Sequence, residues 1–342
     1  MTRRSPSVCV LLLAAGAFAP HAAPPRLYHH EASRMSMACL YAIDAYGPDP
    51  ATLPLIVQDA FDEVDRIDRL MSHYKAESPL SRINREAAGH PVSVEPELFD
   101  FIAEALKYTR ESSGAFDVTV GPLMKVWGFF RGGGRLPSDD ELVAARRSVG
   151  ASHVILNPAE RTIAFDHNGV ELDLGGIAKG YAVDRVIDIL RRRHVAATLV
   201  SAGGSTSYGL GAPPGRQGWD VTIADPVDPD HVVFSVRLKD RALSIAGTSE
   251  KSFEVGGVTY SHIMDPRTGR PVQGMLGVAV LTGTGTAGDA LDDAFFVLGV
   301  ESSQAYLNKV PGTEAYFFLP DAMRRWRMVH LGPNGHALND RP

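Results

Sequence analysis

VELDLGGIAKGYAVD, residues 170–184, changes character halfway along. Val170, Leu172 and Leu174 give an apolar run that predicts a short strand over 170–174. Gly175 and Gly176 then make a turn, and a helix opens with Lys179 in its first turns and runs to about residue 192. Repeated along the chain, such strand-turn-helix units would build a doubly wound parallel sheet. They do not repeat. Before this stretch the periodicity is mainly helical: apolar residues recur every three or four positions over 55–74 and 96–112, and Ser138 with Glu141 three residues later forms a capping-box pattern for a third helix reaching about 149. Two short strands, 153–156 and 162–165, sit just upstream. Beyond it the chain is strand-rich, with predicted strands over 197–200, 219–224, 232–238, 274–282, 314–319 and 325–330, interrupted by one helix over 288–298. Elements that come in blocks favour an α+β fold over an alternating one. Residues 24–342 show no repeat or linker and read as one domain.

Composition narrows the class further. The chain has 342 residues, 34 Lys+Arg against 40 Asp+Glu and a net charge of −6, so it lacks the basic surface that phosphate neutralisation by a nucleic-acid binder requires. The Arg191 to Arg193 run is expected to face solvent at a helix end. Two cysteines exclude a disulfide scaffold, and 33 glycines with 23 prolines imply many turns. Residues 1–23, MTRRSPSVCVLLLAAGAFAPHAA, have the layout of a secretory signal: a basic start, an apolar stretch over 8–19, then small residues. That stretch falls short of the roughly 20 apolar residues a membrane span needs. The expectation is an exported, periplasmic protein with no transmembrane segment in its mature part; Cys9 would leave with the signal, at a cut near 17–19 or a few residues later.

Chemistry concentrates in GTAGDALDDAFFVLG, residues 285–299. On a helix, Asp289, Asp292 and Asp293 occupy positions i, i+3 and i+4 and share a face. Converging carboxylates suit Mg²⁺ or Ca²⁺, and no Cys/His spacing in the sequence offers a zinc alternative. The competing explanation is that acidic residues in a first helical turn only complement the helix dipole. The Gly175-Gly176 turn suggests backbone N–H groups open to an anion with Lys179 adding charge, or merely a tight connection. YSHIMDPRTGRPV, residues 260–272, offers a possible base in His262 with Arg267 and Arg270 on a rigid turn, or an Asx-type turn with exposed arginines. Pro213 and Pro214 stand where a dinucleotide-fold helix would continue after Gly209 and Gly211, and Walker A, Gly-x-Ser-x-Gly and HExxH signatures are all missing from the sequence.

Taken in order, the blocks MACLYAI, MSHYKAESPLSRIN, GAFDVTVGPLMKVWGF, LDLGGIAKGYAVD, SAGGS, SHIMDPRTGRPV and GDALDDAFFVLG resemble the ApbE family, the FAD:protein FMN transferases, over about residues 37–299. The resemblance implies a single ApbE-like (T-fold-like) α+β domain with mixed or antiparallel sheets and packed helices. It also implies an enzyme that uses Mg²⁺ and FAD, joins FMN through its phosphate to a Thr or Ser hydroxyl of a target flavoprotein, and releases AMP. By that resemblance Met37, Tyr74, Ala115, Phe116, Asp117, Asp173, Lys179 and Met264 match FAD-contacting positions, and the Gly176 carbonyl with Asp289, Asp292 and Asp293 matches metal-contacting positions. Asp289 and His262 are the candidate catalytic residues, His262 as the base for the acceptor hydroxyl because an imidazole titrates near neutrality. Two departures stand out. Met37-Ala38-Cys39 replaces the usual Met-Gly-Thr, and Asp293 replaces a usual Thr. Alternatives with the same site are an FAD pyrophosphatase and a periplasmic flavin binder without turnover.

Overall fold

A computed structural model describes residues 26–130, 132–248 and 251–332. Its frame is one eight-stranded sheet: β1 (Tyr28–Ser36), β2 (Cys39–Gly47), β3 (Ala197–Ala202), β4 (Thr206–Leu210), β5 (Arg241–Gly247), β6 (Gly277–Thr282), β7 (Glu314–Asp321) and β8 (Arg325–Leu331). Their order across the sheet is their order in the chain, and every neighbouring pair is antiparallel. The large insertion between β2 and β3 carries most of the helices: α1 (Leu53–Met71), α2 (Pro79–Glu86), α3 (Pro96–Glu111), α4 (Gly121–Val126), α5 (Asp139–Arg146) and α6 (Ala178–Arg192). The last helix, α7 (Gly285–Leu307), follows β6 and has a break at Gly299.

Strand β6 shows how both faces of the sheet are covered. Its side chains alternate, Val278 and Val280 packing into the helical core with α1, α6 and α7, and Ala279 and Leu281 into a second core under the hairpin Trp219–Asp225/Asp228–Leu238. A strand buried on both faces has no reason to alternate polar and apolar residues, which explains the run GVAVLT. The α+β class therefore holds, with antiparallel pairing throughout the described strands.

Several sequence expectations shift. Segment 170–174 is largely buried but belongs to no sheet; backbone groups in it are satisfied by Asn84, whose side chain accepts from Leu172 N–H (2.8 Å) and donates to Leu172 C=O (2.9 Å), and by Val118 C=O, which accepts from Asp173 N–H (2.7 Å). A side-chain amide thus does what a strand neighbour would. The first helix ends at Met71, so Tyr74 lies in the turn beyond it. The predicted 288–298 helix begins three residues earlier and continues past Gly299. Strand periodicity gave no signal for β1, β2, β4 or β5. The capping box at Ser138 and Glu141 forms as expected, and the Arg191 to Arg193 run is exposed at the end of α6. Residues 1–23, with the signal and Cys9, lie outside the described residues.

Candidate functional site: one cleft above two clasped helices

Helices α6 and α7 meet at their N-termini, and each supplies the cap of the other. Asp184, on α6, accepts from Gly285 N–H (2.6 Å), Thr286 N–H (2.8 Å) and Thr286 Oγ1 (2.6 Å) at the start of α7. Asp289, on α7, accepts from Gly180 N–H (2.6 Å) in the first turn of α6. The amides of a first helical turn lack intrahelical acceptors, so this exchange satisfies groups that would otherwise be orphaned in the core. It requires close approach. A Cβ on Gly180 would lie 2.1 Å from Gly285 O, and one on Gly285 would lie 2.6 Å from Gly180 O.

The junction forms the floor of a cleft of about 650 Å³. Every residue matched to a flavin, metal or catalytic position lines it: Met37, Tyr74, Ala115, Phe116, Asp117, Asp173, Gly176, Lys179, His262, Met264, Asp289, Asp292 and Asp293. These positions lie up to 256 residues apart in the chain yet come together because α6, α7, the β1–β2 turn and the segments at 74, 115–117, 173–176 and 262–264 all face one cleft.

The three carboxylates differ in their surroundings. Asp289 is buried, and besides Gly180 it accepts from Thr206 Oγ1 and Ser244 Oγ (3.2 Å) on β4 and β5. Burial pushes its carboxyl above the usual range, partly opposed by Lys179 and these donors. Asp292 is pushed well above that range by burial and then by the charges of Asp293 and Asp289. Its one hydrogen bond among the described residues comes from Asp293 N–H (2.6 Å). Asp293 lies against the second turn glycine, since a Cβ on Gly176 would sit 2.6 Å from Asp293 Oδ2 and 3.4 Å from Phe116. Two carboxylates raised by burial, one of them further by its acidic neighbours, beside a bare backbone, are a donor set that a hard divalent cation would stabilise. The residues fit Mg²⁺. The dipole explanation loses its basis, because α7 starts at Gly285 and no acidic residue lies in its first turn.

The anion-site expectation needs correction at one atom. Gly175 N–H donates to Asp173 Oδ1 (2.8 Å), so that amide is occupied by the chain's own carboxylate. Lys179 Nζ donates to Ser205 Oγ (2.6 Å) at the β3–β4 turn, which holds the ammonium at the cleft floor. Asp117 folds back on its own turn, accepting from Thr119 N–H (2.8 Å) and Oγ1 (2.6 Å), while burial pushes its carboxyl up. Met264 and Phe116 are nearly buried and pack as core while reaching the cleft wall. Arg267 and Arg270 take the plainer alternative: they pair with Asp265 (2.9 Å) and Asp139 (3.1 Å) on an Asx turn and do not line the cleft. His262 does line it, with Nδ1 3.2 Å from the Lys251 carbonyl.

Periodicity gave no hint of His73. Its side chain is 9% exposed, Nδ1 sits 3.2 Å from Asp173 Oδ1, and Nε2 has no hydrogen-bond partner among the described residues. The ring packs on Tyr74 (centroids 3.9 Å apart) and Phe130 (5.2 Å), making an aromatic wall beside the cleft. Burial lowers its pKa, opposed by Asp173 and Glu171, so the imidazole is held toward its neutral form; burial and then Asp173 push the Tyr74 phenol up to about 12. Asp184, Ser205 and Thr206 also escaped notice. Only the fold could reveal them, because their roles depend on the packing of α6 against α7 and β4.

An antiparallel sheet with two mutually capped helices and an acidic cleft at their junction defines an α+β class of protein with an oxygen-rich site. Within it, the chain belongs to the ApbE family, whose model matches residues 37–317. A curated FAD:protein FMN transferase of Klebsiella pneumoniae (strain 342) is 32% identical over 296 residues, 85% of this chain and 89% of the relative. Another, of Treponema pallidum (strain Nichols), is 30% identical over 312 residues, 86% of each. Among solved structures, the apo form of the Pseudomonas stutzeri flavinyl transferase ApbE is similar at a TM-score of 0.78 and 27% identity, covering 89% of this chain and 95% of that one.

Proposed function

We propose that the protein transfers FMN from FAD to a Thr or Ser hydroxyl of a target flavoprotein in a Mg²⁺-dependent reaction, leaving a phosphodiester-linked FMN and releasing AMP. Flavin transfer as such follows from membership of a family whose curated relatives are FAD:protein FMN transferases. The observation that carries the finer reading is the meeting of Asp289, Asp292, Asp293, the Gly176 backbone and Lys179 at one cleft floor.

In this reading the acceptor oxygen attacks the FMN-side phosphorus in line, and the bond from that phosphorus to the AMP oxygen breaks. The three aspartates and the Gly176 carbonyl would hold Mg²⁺, which when bound would supply a Lewis acid for the pyrophosphate. Lys179, fixed by Ser205, offsets charge on the phosphate oxygens. His262 takes the hydroxyl proton. Its Nδ1 faces the Lys251 carbonyl, an acceptor, so the neutral ring carries its proton on Nδ1 and presents Nε2 as the base. Tyr74, Phe116 and Met264 supply apolar and aromatic surface for FAD.

Incubating the protein with FAD, Mg²⁺ and a candidate flavoprotein domain tests this. Covalent flavin fluorescence in the target with stoichiometric AMP is the expected result. AMP and free FMN without labelled target would make the enzyme a pyrophosphatase, and bound FAD with no AMP would make it a binder. Asp293→Thr bears on the departure from the family pattern: removing a like charge beside Asp292 is expected to change the Mg²⁺ concentration required, and unchanged dependence would remove Asp293 from the metal site. The signal-like segment leads us to place the enzyme in the periplasm, which fractionation of cells expressing the full chain would check. No helix among the described residues is long and apolar enough to cross a membrane.

A further inference from the structure

Away from the cleft, a small three-stranded sheet packs Val154–Asn157 and Val92–Ser93 on either side of Thr162–Phe165. Val154 pairs with Phe165, so the next residues outward, His153 and Asp166, face each other, and Asp166 N–H donates to His153 C=O (3.2 Å). His167 follows directly. Both imidazoles turn the same nitrogen to one carboxylate: His153 Nδ1 lies 3.0 Å from Asp166 Oδ2 and 3.2 Å from Oδ1, and His167 Nδ1 lies 2.6 Å from Oδ1. The rings stand edge to face, at 87° with centroids 4.7 Å apart. One ligand-type atom from each residue falls within 4.8 Å of the others. On the far side of His167, Nε2 is 3.2 Å from Oγ of the buried Ser148.

We propose that His153, Asp166 and His167 form a binding site for a divalent transition-metal cation of the Zn²⁺ or Co²⁺ type, separate from the carboxylate cluster in the cleft. Two imidazole nitrogens and one carboxylate oxygen select such borderline cations over Mg²⁺ and Ca²⁺, which prefer all-oxygen sets. Without metal, each neutral ring donates its Nδ1–H to Asp166, and the Ser148 hydroxyl donates to His167 Nε2. With metal, the cation takes the place of the two Nδ1 protons against the carboxylate. Each ring proton moves to Nε2, so no proton is gained or lost, and Ser148 turns to accept from His167. That is the outer partner which a metal-ligating histidine uses to fix its tautomer. The three side chains are partly exposed, which leaves remaining coordination positions to water. Spacing in the sequence did not suggest a zinc site because the ligands sit thirteen and fourteen residues apart on opposite arms of a hairpin.

The full chain, stripped with chelator and kept in excess Mg²⁺ to occupy the cleft, is titrated with Zn²⁺ by calorimetry and with Co²⁺ by visible absorption. One equivalent is expected, with Co²⁺ bands reporting nitrogen ligation. The double variant His153→Asn/His167→Asn keeps N–H donors toward Asp166 while removing the ligand nitrogens, and it is expected to lose that equivalent with an unchanged circular dichroism spectrum and melting temperature. Ser148→Ala is expected to weaken binding by about tenfold. Undiminished stoichiometry and affinity in the double variant, or no Zn²⁺ uptake by the wild type, would overturn the assignment.

Discussion

The floor and the rim of the cleft solve the same problem, close approach of backbone to a ligand site, in opposite ways. On the floor, glycine stands where contact demands it: Gly180 and Gly285 let two helices touch, and Asp184 and Asp289 close their open amides. At the rim, the β1–β2 turn carries Met37 and Ala38 with φ of 48° and 60°, although both positive values call for Gly or Asn. Beside that turn, His73, Tyr74 and Phe130 stack without a backbone ladder to fix them. The floor is over-determined by buried hydrogen bonds, whereas the rim is held by packing. Stability should therefore depend mainly on the first, and the apolar and aromatic contacts to the flavin on the second.

The sharpest way to break this contrast is Gly180→Ala. The new methyl cannot coexist with a carbonyl oxygen 2.1 Å away, so the helices must separate and release the Asp184 and Asp289 caps. Overpacking against backbone plus lost caps predicts a loss of about 3 to 5 kcal/mol. Gly133→Ala, with no atom within 4 Å of its added Cβ, should cost less than about 0.5 kcal/mol. Denaturant melts of the two variants measure the difference, and equal midpoints would deny the floor its special role.

Next in size is a pH effect. Burial raises Asp184 from its ordinary value near 3.8 to about 6, against the pull of the Thr286 and Gly285 donors. Between those values the folded chain holds a proton that the unfolded chain has lost, so stability falls as pH rises through the window. The contribution is complete below the lower value and gone above the upper one, amounting to at most about 3 kcal/mol. Measured against Asp184→Asn, which cannot titrate, wild-type stability should fall between about pH 4 and pH 7. Parallel profiles would show that the helix amides outweigh burial.

Tyr74→Ala probes the rim. Tyr74 is 45% exposed and contributes stacking rather than core, so the substitution should lower stability by about 1 kcal/mol and FAD affinity by about tenfold, read by flavin fluorescence quenching. A large stability loss with unchanged FAD binding would reverse the division between floor and rim.

What the sequence made legible follows the same division. GTAGDALDDAFFVLG and LDLGGIAKGYAVD could be read as helix, turn and converging carboxylates because a floor built from helix faces leaves its period in the sequence. Rim residues such as Met37 and Ala115 occupy turns, and Met264 a strand of two residues, too short to show a period, so only the family resemblance pointed to them. His73 and Asp184 were beyond both: each matters through a partner, Asp173 or the start of α7, that lies 100 or 101 residues away and is brought close only by the folded chain. The strand expected over 170–174 failed for a related reason. An apolar alternating segment looks the same whether a neighbouring strand or the Asn84 amide satisfies its backbone.

The smallest effect tests whether the departure at the rim is a defect or an adjustment. In a two-residue hairpin turn with positive φ at both positions, Ala38 carries a steric cost that glycine avoids, about 1 to 2 kcal/mol, offset in part by the greater freedom of glycine in the unfolded chain. Ala38→Gly should then stabilise the protein by up to about 1 kcal/mol. Met37 reaches the cleft from this same turn and is fixed by a hydrogen bond from Tyr41 Oη to its Sδ (3.2 Å), so relief of strain at Ala38 should leave FAD affinity unchanged. A gain in stability with weaker FAD binding would mean that the strained alanine holds Met37 in place, and the rim would then owe its precision to strain as the floor owes its own to hydrogen bonds.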